Sequence, residues 1–278
     1  MDVWVLYHGN CYDGFGSAYA AWEKFGDGAK YIPCDYAQKT APLDEVPDHA
    51  SVYVLDFSFP REALIAANER FESLVVIDHH ATAREDLTGL SFCLFDMTKS
   101  GAVLSWEFFH PTNPTPRLLH HVQDRDLWKF EIEGTKEVHV VLQSHPMDFK
   151  LWRELASLDQ KGFHSIYKNG AGIIRFRDRQ VRIMCERVRF ERVGPETIPV
   201  VNATLFFSEV ADELLNRHPD APYSAVFYET WSEKDQAWIR RWSFRSKGDY
   251  DVSKVARLYG GGGHPRASGA TEILSSIL

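Results

Sequence analysis

Asp78, His79 and His80 follow directly on the apolar run Leu74-Val75-Val76-Ile77. A carboxylate and two imidazoles side by side suit borderline divalent ions such as Mn²⁺, Zn²⁺ or Fe²⁺. A polar surface loop would carry the same residues, so this stretch gains meaning only from company elsewhere. His8 and Asp13 bracket the loop His8-Gly9-Asn10-Cys11-Tyr12-Asp13-Gly14, and Asp56 ends the run Val52-Tyr53-Val54-Leu55. Two further acids, Asp124 and Asp126, close the stretch His121-Val122-Gln123-Asp124-Arg125-Asp126. Two-metal phosphoryl chemistry requires such a set, because a shared carboxylate holds two cations about 3.5–4 Å apart and both clamp the reacting oxygens. The bland alternatives are a helix cap for Asp56, solvent-facing acids at 124 and 126, and a glycine-rich turn without chemistry at 9–16.

The elements that must position these residues are legible as alternating strands and helices. Short apolar runs at Val3–Tyr7, Tyr31–Cys34, Val52–Leu55, Leu74–Ile77 and Phe92–Phe95 are expected to be buried strands of a mostly parallel sheet. Ala18, Ala21, Trp22 and Phe25 give one apolar helical stripe after the glycine loop. Pro60 stands near the first turn of a second helix, and Thr98-Lys99-Ser100-Gly101 caps a third over 102–109. His8, Asp13, Asp56, Asp78, His79 and His80 therefore converge on the carboxyl ends of the strands, where open α/β sheets bind ligands. The helix start after Asp13 also favours anions such as phosphate.

Farther along, 151–158 and 162–192 are helix-prone, and the second of these is strongly basic, with arginines at 175, 177, 179, 182, 187, 189 and 192. A solvated helix face accounts for that charge, and no site is assigned to it. Gly194-Pro195 breaks the run. Strands over 197–202, 223–229 and 238–245, with helices over 207–217 and 252–258, predict a smaller α+β lobe. Its Gly260-Gly261-Gly262-Gly263 run loses much chain entropy on ordering, and a backbone N–H cradle for phosphate would explain it.

The chain has 278 residues and a net charge of −8, long enough for two domains and poorly suited to sequence-blind binding of long nucleic acid. No apolar run approaches the roughly 20 residues of a membrane span, and the N-terminal residues are expected to form a strand rather than a secretion signal. Cys11, Cys34, Cys93 and Cys185 show neither paired metal spacing nor a disulfide framework, so a reducing cytoplasm is expected.

The stretches His8-x-Asn10-x-x-Asp13-Gly14, Asp56, Asp78-His79-His80 and Asp124 resemble the motifs of the DHH phosphoesterase superfamily. Phe244-Arg245-Ser246 and Gly260-Gly261-Gly262-Gly263-His264-Pro265-Arg266-Ala267-Ser268-Gly269 resemble the signature of its associated C-terminal domain. The resemblance implies a DHH catalytic domain over 1–158, a helical linker over 159–195 and a substrate-binding domain over 196–278, with the active site in a cleft between lobes. It implies that His8, Asp13 and Asp56 hold one metal and Asp56, His79 and Asp124 the other. Asp78 would orient its neighbours and His80 face the scissile phosphate. Arg245, Gly261, Gly262, Gly263, His264 and Arg266 would bind substrate, while Asn10, Asp126 and Ser100 remain secondary candidates. One departure stands out: many members carry an acid two places after the position of Asp13, and here Phe15 stands there.

The activity so implied is metal-dependent hydrolysis of phosphodiesters in short linear nucleotides such as pGpG, with two Mn²⁺ ions, or Mg²⁺ or Co²⁺ in their place. A homodimer is possible, and neither long DNA nor a membrane is an expected partner. The alternatives are a phosphatase acting on 3′-phosphoadenosine nucleotides or pyrophosphate, and a nucleotide-binding sensor whose metal site has decayed.

Overall fold

The computed structural model describes residues 2–35, 40–233 and 235–274. It divides into two compact units, 1–173 and 174–278. In the first, β1 (Val3–His8), β2 (Lys30–Cys34), β3 (Ser51–Leu55), β4 (Ser73–Asp78) and β5 (Cys93–Phe95) form one sheet in the order β2-β1-β3-β4-β5. Every pairing in it is parallel. The strands alternate with helices α1 (Tyr12–Phe25), α2 (Ala41–Asp44), α3 (Arg61–Arg70) and α4 (Ala81–Asp86). Five more follow: α5 (Gly101–Phe109), α6 (Arg117–Asp126), α7 (Thr135–Gln143), α8 (Phe149–Ala156) and α9 (Gln160–Cys185).

The runs of β1, β3 and β4 are apolar on both sides because both faces of the sheet are covered there, whereas β2 and β5, expected to be buried, are outer strands and partly exposed. Val5, Leu55, Ile77, Leu118, Leu119 and Trp152 lie in one apolar layer, and Leu6, Val52, Val54, Phe57, Leu64 and Val76 in the other. Burying each large aliphatic or aromatic side chain contributes about 1.5–3 kcal/mol, so the two layers hold the strand ends rigidly. Phe15 belongs to this core: its ring stacks on Phe149 at 4.7 Å and meets Trp152 edge-on at 5.1 Å.

Helix α9 begins in the first unit and ends in the second. It stops at Cys185 instead of running to 192, because Arg189–Val193 forms strand β6. β6 pairs antiparallel with β7 (Glu196–Asn202) through the Gly194-Pro195 turn. The second unit continues with α10 (Phe207–Arg217), β8 (Tyr223–Ser232), β9 (Ala237–Ser246), α11 (Val252–Leu258), β10 (Gly262–His264) and β11 (Ala267–Ile273). Its sheet has the order β10-β11-β9-β8-β7-β6. Among the described residues no helix is long and apolar enough to cross a membrane.

Candidate metal centre

In a sheet of order 2-1-3-4-5 the connections reverse direction between β1 and β3, and ligands bind outside the carboxyl ends there. His8 is the last residue of β1, and Asp56 directly follows β3. Asp56 takes the left-handed backbone conformation, φ +52°, while its N–H donates to the Ile77 carbonyl at 2.8 Å. Asp tolerates that region better than most residues, and such strain gathers at functional sites. Gly101 makes the conformation possible: a Cβ there would stand 2.5 Å from Asp56 Cβ and 2.7 Å from its Oδ1.

The buried side chain of Asp56 is the hub of the cluster. His79 Nε2 lies 3.1 Å from Asp56 Oδ1, and His8 Nδ1 lies 3.4 Å from Asp56 Oδ2. Neither Asp56 oxygen has a hydrogen bond of ordinary geometry among the described residues. His79 Nε2 is also 3.5 Å from Asp13 Oδ2 and 3.5 Å from Asp126 Oδ2. Asp13 is held from the other side by the start of α5, where Gly101 N–H donates to Oδ2 at 2.6 Å and Ala102 N–H to Oδ1 at 3.1 Å. A carboxylate capping a helix N-terminus is stabilised by the helix dipole. Asp78 serves the backbone instead. Its Oδ1 accepts from His79 N–H at 2.7 Å and His80 N–H at 3.2 Å, and lies 2.6 Å from His80 Nδ1.

The charges do not balance. Burial, then the charges of Asp56 and Asp126, push the Asp13 carboxyl well above the usual range. Burial and Asp56 likewise raise Asp126. Burial would raise Asp56 too, but His79 and His8 outweigh it and hold it below its usual value. Burial opposes charge on His79, yet Asp56, Asp13 and Asp126 push its pKa up to about 9. The hydrogen bond to Asp78 raises His80. Such a surplus of buried carboxylate around one imidazole is the condition that bound cations relieve. The donor atoms fall into three groups whose members lie within 4.8 Å of one another: His8, Cys11 and Asp56; Asp56, His79 and His80; Asp13, His79 and Asp126. The groups overlap at Asp56 and His79, so these residues would suit bound divalent cations.

Two expectations change here. Asp124 is turned away from the cluster. Its Oδ1 accepts from Glu131 N–H at 2.9 Å, and its Oδ2 from Ile132 N–H at 3.1 Å and Thr135 Oγ1 at 2.6 Å. With both oxygens committed, it fastens the loop after α6, and Asp126 takes the place by His79. Asp13 also groups with His79 and Asp126 rather than with His8. Cys11, which its spacing gave no reason to select, enters the group of His8 and Asp56. Burial, followed by the Asp56 charge, pushes its thiol up to about 12 when no cation is near. Asn10 forms the turn after β1 with φ +56°. Ser100 is the buried N-cap of α5, and its N–H donates to Gln123 Oε1 at 3.0 Å.

A cavity of about 410 Å³ opens beside the cluster, lined by His8, Asp13 and Asp126 and by Arg125, His139 and Gln143. At its back, His121 belongs to a chain of hydrogen bonds. Arg117 Nη2 donates to Tyr167 Oη at 2.8 Å, and Tyr167 Oη lies 3.0 Å from His121 Nε2. His121 Nδ1 lies 2.9 Å from Thr135 Oγ1, which donates to Asp124. That pattern suits a neutral imidazole, and burial, then Arg117, lowers the His121 pKa to about 4.

In the second unit, Arg245 Nη2 donates to Ser208 Oγ at 2.7 Å and Nη1 to the Phe244 carbonyl at 2.8 Å. The last two glycines of the run lie in the edge strand β10, while Gly260 and Gly261 form the connection from α11. A Cβ at Gly261 would stand 2.1 Å from the Gly269 carbonyl, so close backbone approach explains that glycine without a ligand. Gly262 and Gly263 lie in β10, and His264 and Arg266 are exposed around the turn into β11.

No family model matches the chain. The uncharacterised protein R106 of Acanthamoeba polyphaga mimivirus is 32% identical over 291 residues, covering 97% of this chain and 67% of R106. Oligoribonuclease NrnB of Bacillus subtilis is 25% identical over 218 residues, covering 70% of this chain and 52% of NrnB. The chain thus spans about two thirds of the first relative and half of the second. RecJ of Thermus thermophilus, solved in complex with Mn²⁺, shares the fold with a TM-score of 0.51 at 13% identity, over 98% of this chain and 49% of RecJ. The match to R106 places the two chains in one family, and the likeness to RecJ shows that this chain has the fold of that structure.

Proposed function

We propose that this protein hydrolyses phosphodiester bonds in very short linear nucleotides, 5′-phosphorylated dinucleotides such as pGpG among them. The observation that carries this reading is Asp56, buried and without an ordinary hydrogen bond among the described residues, with imidazoles at 3.1 and 3.4 Å. His8, Asp13, Asp56, His79 and Asp126 would hold the cations, with Mn²⁺ the expected ion and Mg²⁺ or Co²⁺ as substitutes. Bound there, they would lower the pKa of water and neutralise charge on the transferring phosphoryl group. Asp78 positions His80 through Nδ1, so Nε2 is the atom of His80 left to donate to a phosphate oxygen. Arg245, His264, Arg266 and the backbone of 261–263 are assigned to nucleotide binding.

Short substrates are favoured by the cavity of about 410 Å³ and the net charge of −8. The name of the relative NrnB, an oligoribonuclease, supports the same class. The test is product analysis with Mn²⁺ on pGpG, pApA and RNA of about ten residues at matched salt, because phosphate contacts are salt-dependent. Mononucleotides should form from dinucleotides far faster than from the longer RNA. Equal rates would refute the short-substrate assignment.

A further inference from the structure

Cys11 is the N-cap of α1. Its Sγ, a ring nitrogen of His8 and a carboxylate oxygen of Asp56 lie within 4.8 Å of one another. Two ligand atoms on one cation, each at a bond of about 2.0–2.3 Å, lie at most about 4–4.6 Å apart, so atoms within this limit can share one cation after small side-chain rotations. A lone thiol would carry nothing. The second observation is Asp56, only 1% exposed, whose two carboxylate oxygens lack a hydrogen bond of ordinary geometry among the described residues. A cation in this group would satisfy it.

We infer that Cys11 Sγ is a metal ligand, forming with His8 and Asp56 a cation position separate from that of Asp13, His79 and Asp126. The inference rests on the metal-centre reading above and refines it. A thiolate favours softer ions, so this position selects Zn²⁺, Co²⁺ or Fe²⁺, whereas the carboxylate-rich position suits Mn²⁺ or Mg²⁺. On binding, the S–H bond breaks, an S–metal bond forms and the proton leaves to solvent. No electron is transferred, and the ion remains divalent.

The test is Co²⁺ titration of the full chain, stripped by a chelator and kept anaerobic with a non-thiol reductant. Thiolate-to-cobalt charge transfer absorbs in the near ultraviolet, whereas imidazole and carboxylate ligands give no such band. Wild type should show the band together with proton release. Cys11→Ser and Cys11→Asp should bind Co²⁺ without it, and Cys93→Ser should retain it. Cys11→Asp should also lower the preference for Zn²⁺ over Mn²⁺ by about tenfold or more, the scale on which changes around a metal alter its affinity. Wild type binding Co²⁺ without the band, a band surviving in Cys11→Ser, or no Co²⁺ binding would each overturn the inference. The first of these needs no variant to fold. A band in a protein that hydrolyses no phosphodiester would leave the inference standing and remove the proposed activity. Mn²⁺-dependent hydrolysis without the band would do the reverse.

Discussion

Gly101→Ala adds one methyl group at the most crowded point of the site. The new Cβ would stand 2.5 Å from Asp56 Cβ, 2.7 Å from Oδ1 and 2.9 Å from Cγ. Ordinary van der Waals contact begins near 3.4 Å, so Asp56 or the start of α5 must yield by about 0.9 Å. The start of α5 also holds Asp13 through the Gly101 and Ala102 N–H groups, so either shift pulls two carboxylates out of register with His79. Overpacking of this kind costs about 1–3 kcal/mol of stability, a fall of roughly 2–12 °C in melting temperature at about 2–4 °C per kcal/mol. A misplacement of about 1 Å costs on the order of a hundredfold in rate. The assay is kcat/KM with Mn²⁺ on a 5′-phosphorylated dinucleotide, beside a thermal melt. Gly28→Ala is the control, because a Cβ there meets nothing within 4 Å. A folded Gly101→Ala protein with activity within about twofold of wild type, under 0.5 kcal/mol of barrier, would refute the placing of Asp56 at the hub.

Asp126→Asn should weaken metal binding, read by calorimetry, with little change in the denaturation midpoint. Asp124→Ala should do the opposite, losing about 2–4 kcal/mol because the Glu131 and Ile132 N–H groups and the Thr135 hydroxyl lose a charged acceptor. The reverse pattern would restore Asp124 as the ligand. Stability should also fall with acid through His121, whose pKa drops from 6.5 to about 4 in the fold. Between those values the unfolded chain takes up a proton that the native imidazole refuses. Stability is therefore complete above pH 6.5 and declines by about 1.4 kcal/mol per pH unit as the pH falls, about 2 kcal/mol by pH 5. Denaturant titrations at pH 7 and pH 5 should show that loss in wild type and less of it in His121→Gln; an equal loss in both would assign the acid sensitivity elsewhere.

The central strands β1, β3 and β4 were legible because each is a short, largely buried apolar run leading into an imidazole or acid, whereas the outer strands β2 and β5 are partly exposed. What the sequence left open was mostly a matter of rotation. Asp124 and Asp126 are two residues apart at the end of α6. At about 100° per residue they point in nearly opposite directions, and only packing decides which one faces His79. The same geometry separates Asp13 from Phe15 on α1, which sends the aromatic ring into the core while the acid meets the cluster. Phe15 is thus a core residue. Cys11 carried no spacing signature, and its membership in the cluster follows from its place at the start of α1. Strand β11 was hidden because Ala267-Ser268-Gly269-Ala270 has little strand propensity, and its pairing with β9 and β10 supplies what the local sequence lacks.

The central claim is that divalent cations held around Asp56 carry phosphodiester hydrolysis. It is tested most directly by the rate on bis-p-nitrophenyl phosphate for wild type and Asp56→Asn, after chelation and again after Mn²⁺ is restored. Wild type should be silent without metal and active with it, and Asp56→Asn should be folded and silent in both. Hydrolysis by Asp56→Asn above about a tenth of the wild-type rate, less than roughly 1.4 kcal/mol of barrier, or wild-type turnover that survives chelation, would contradict it.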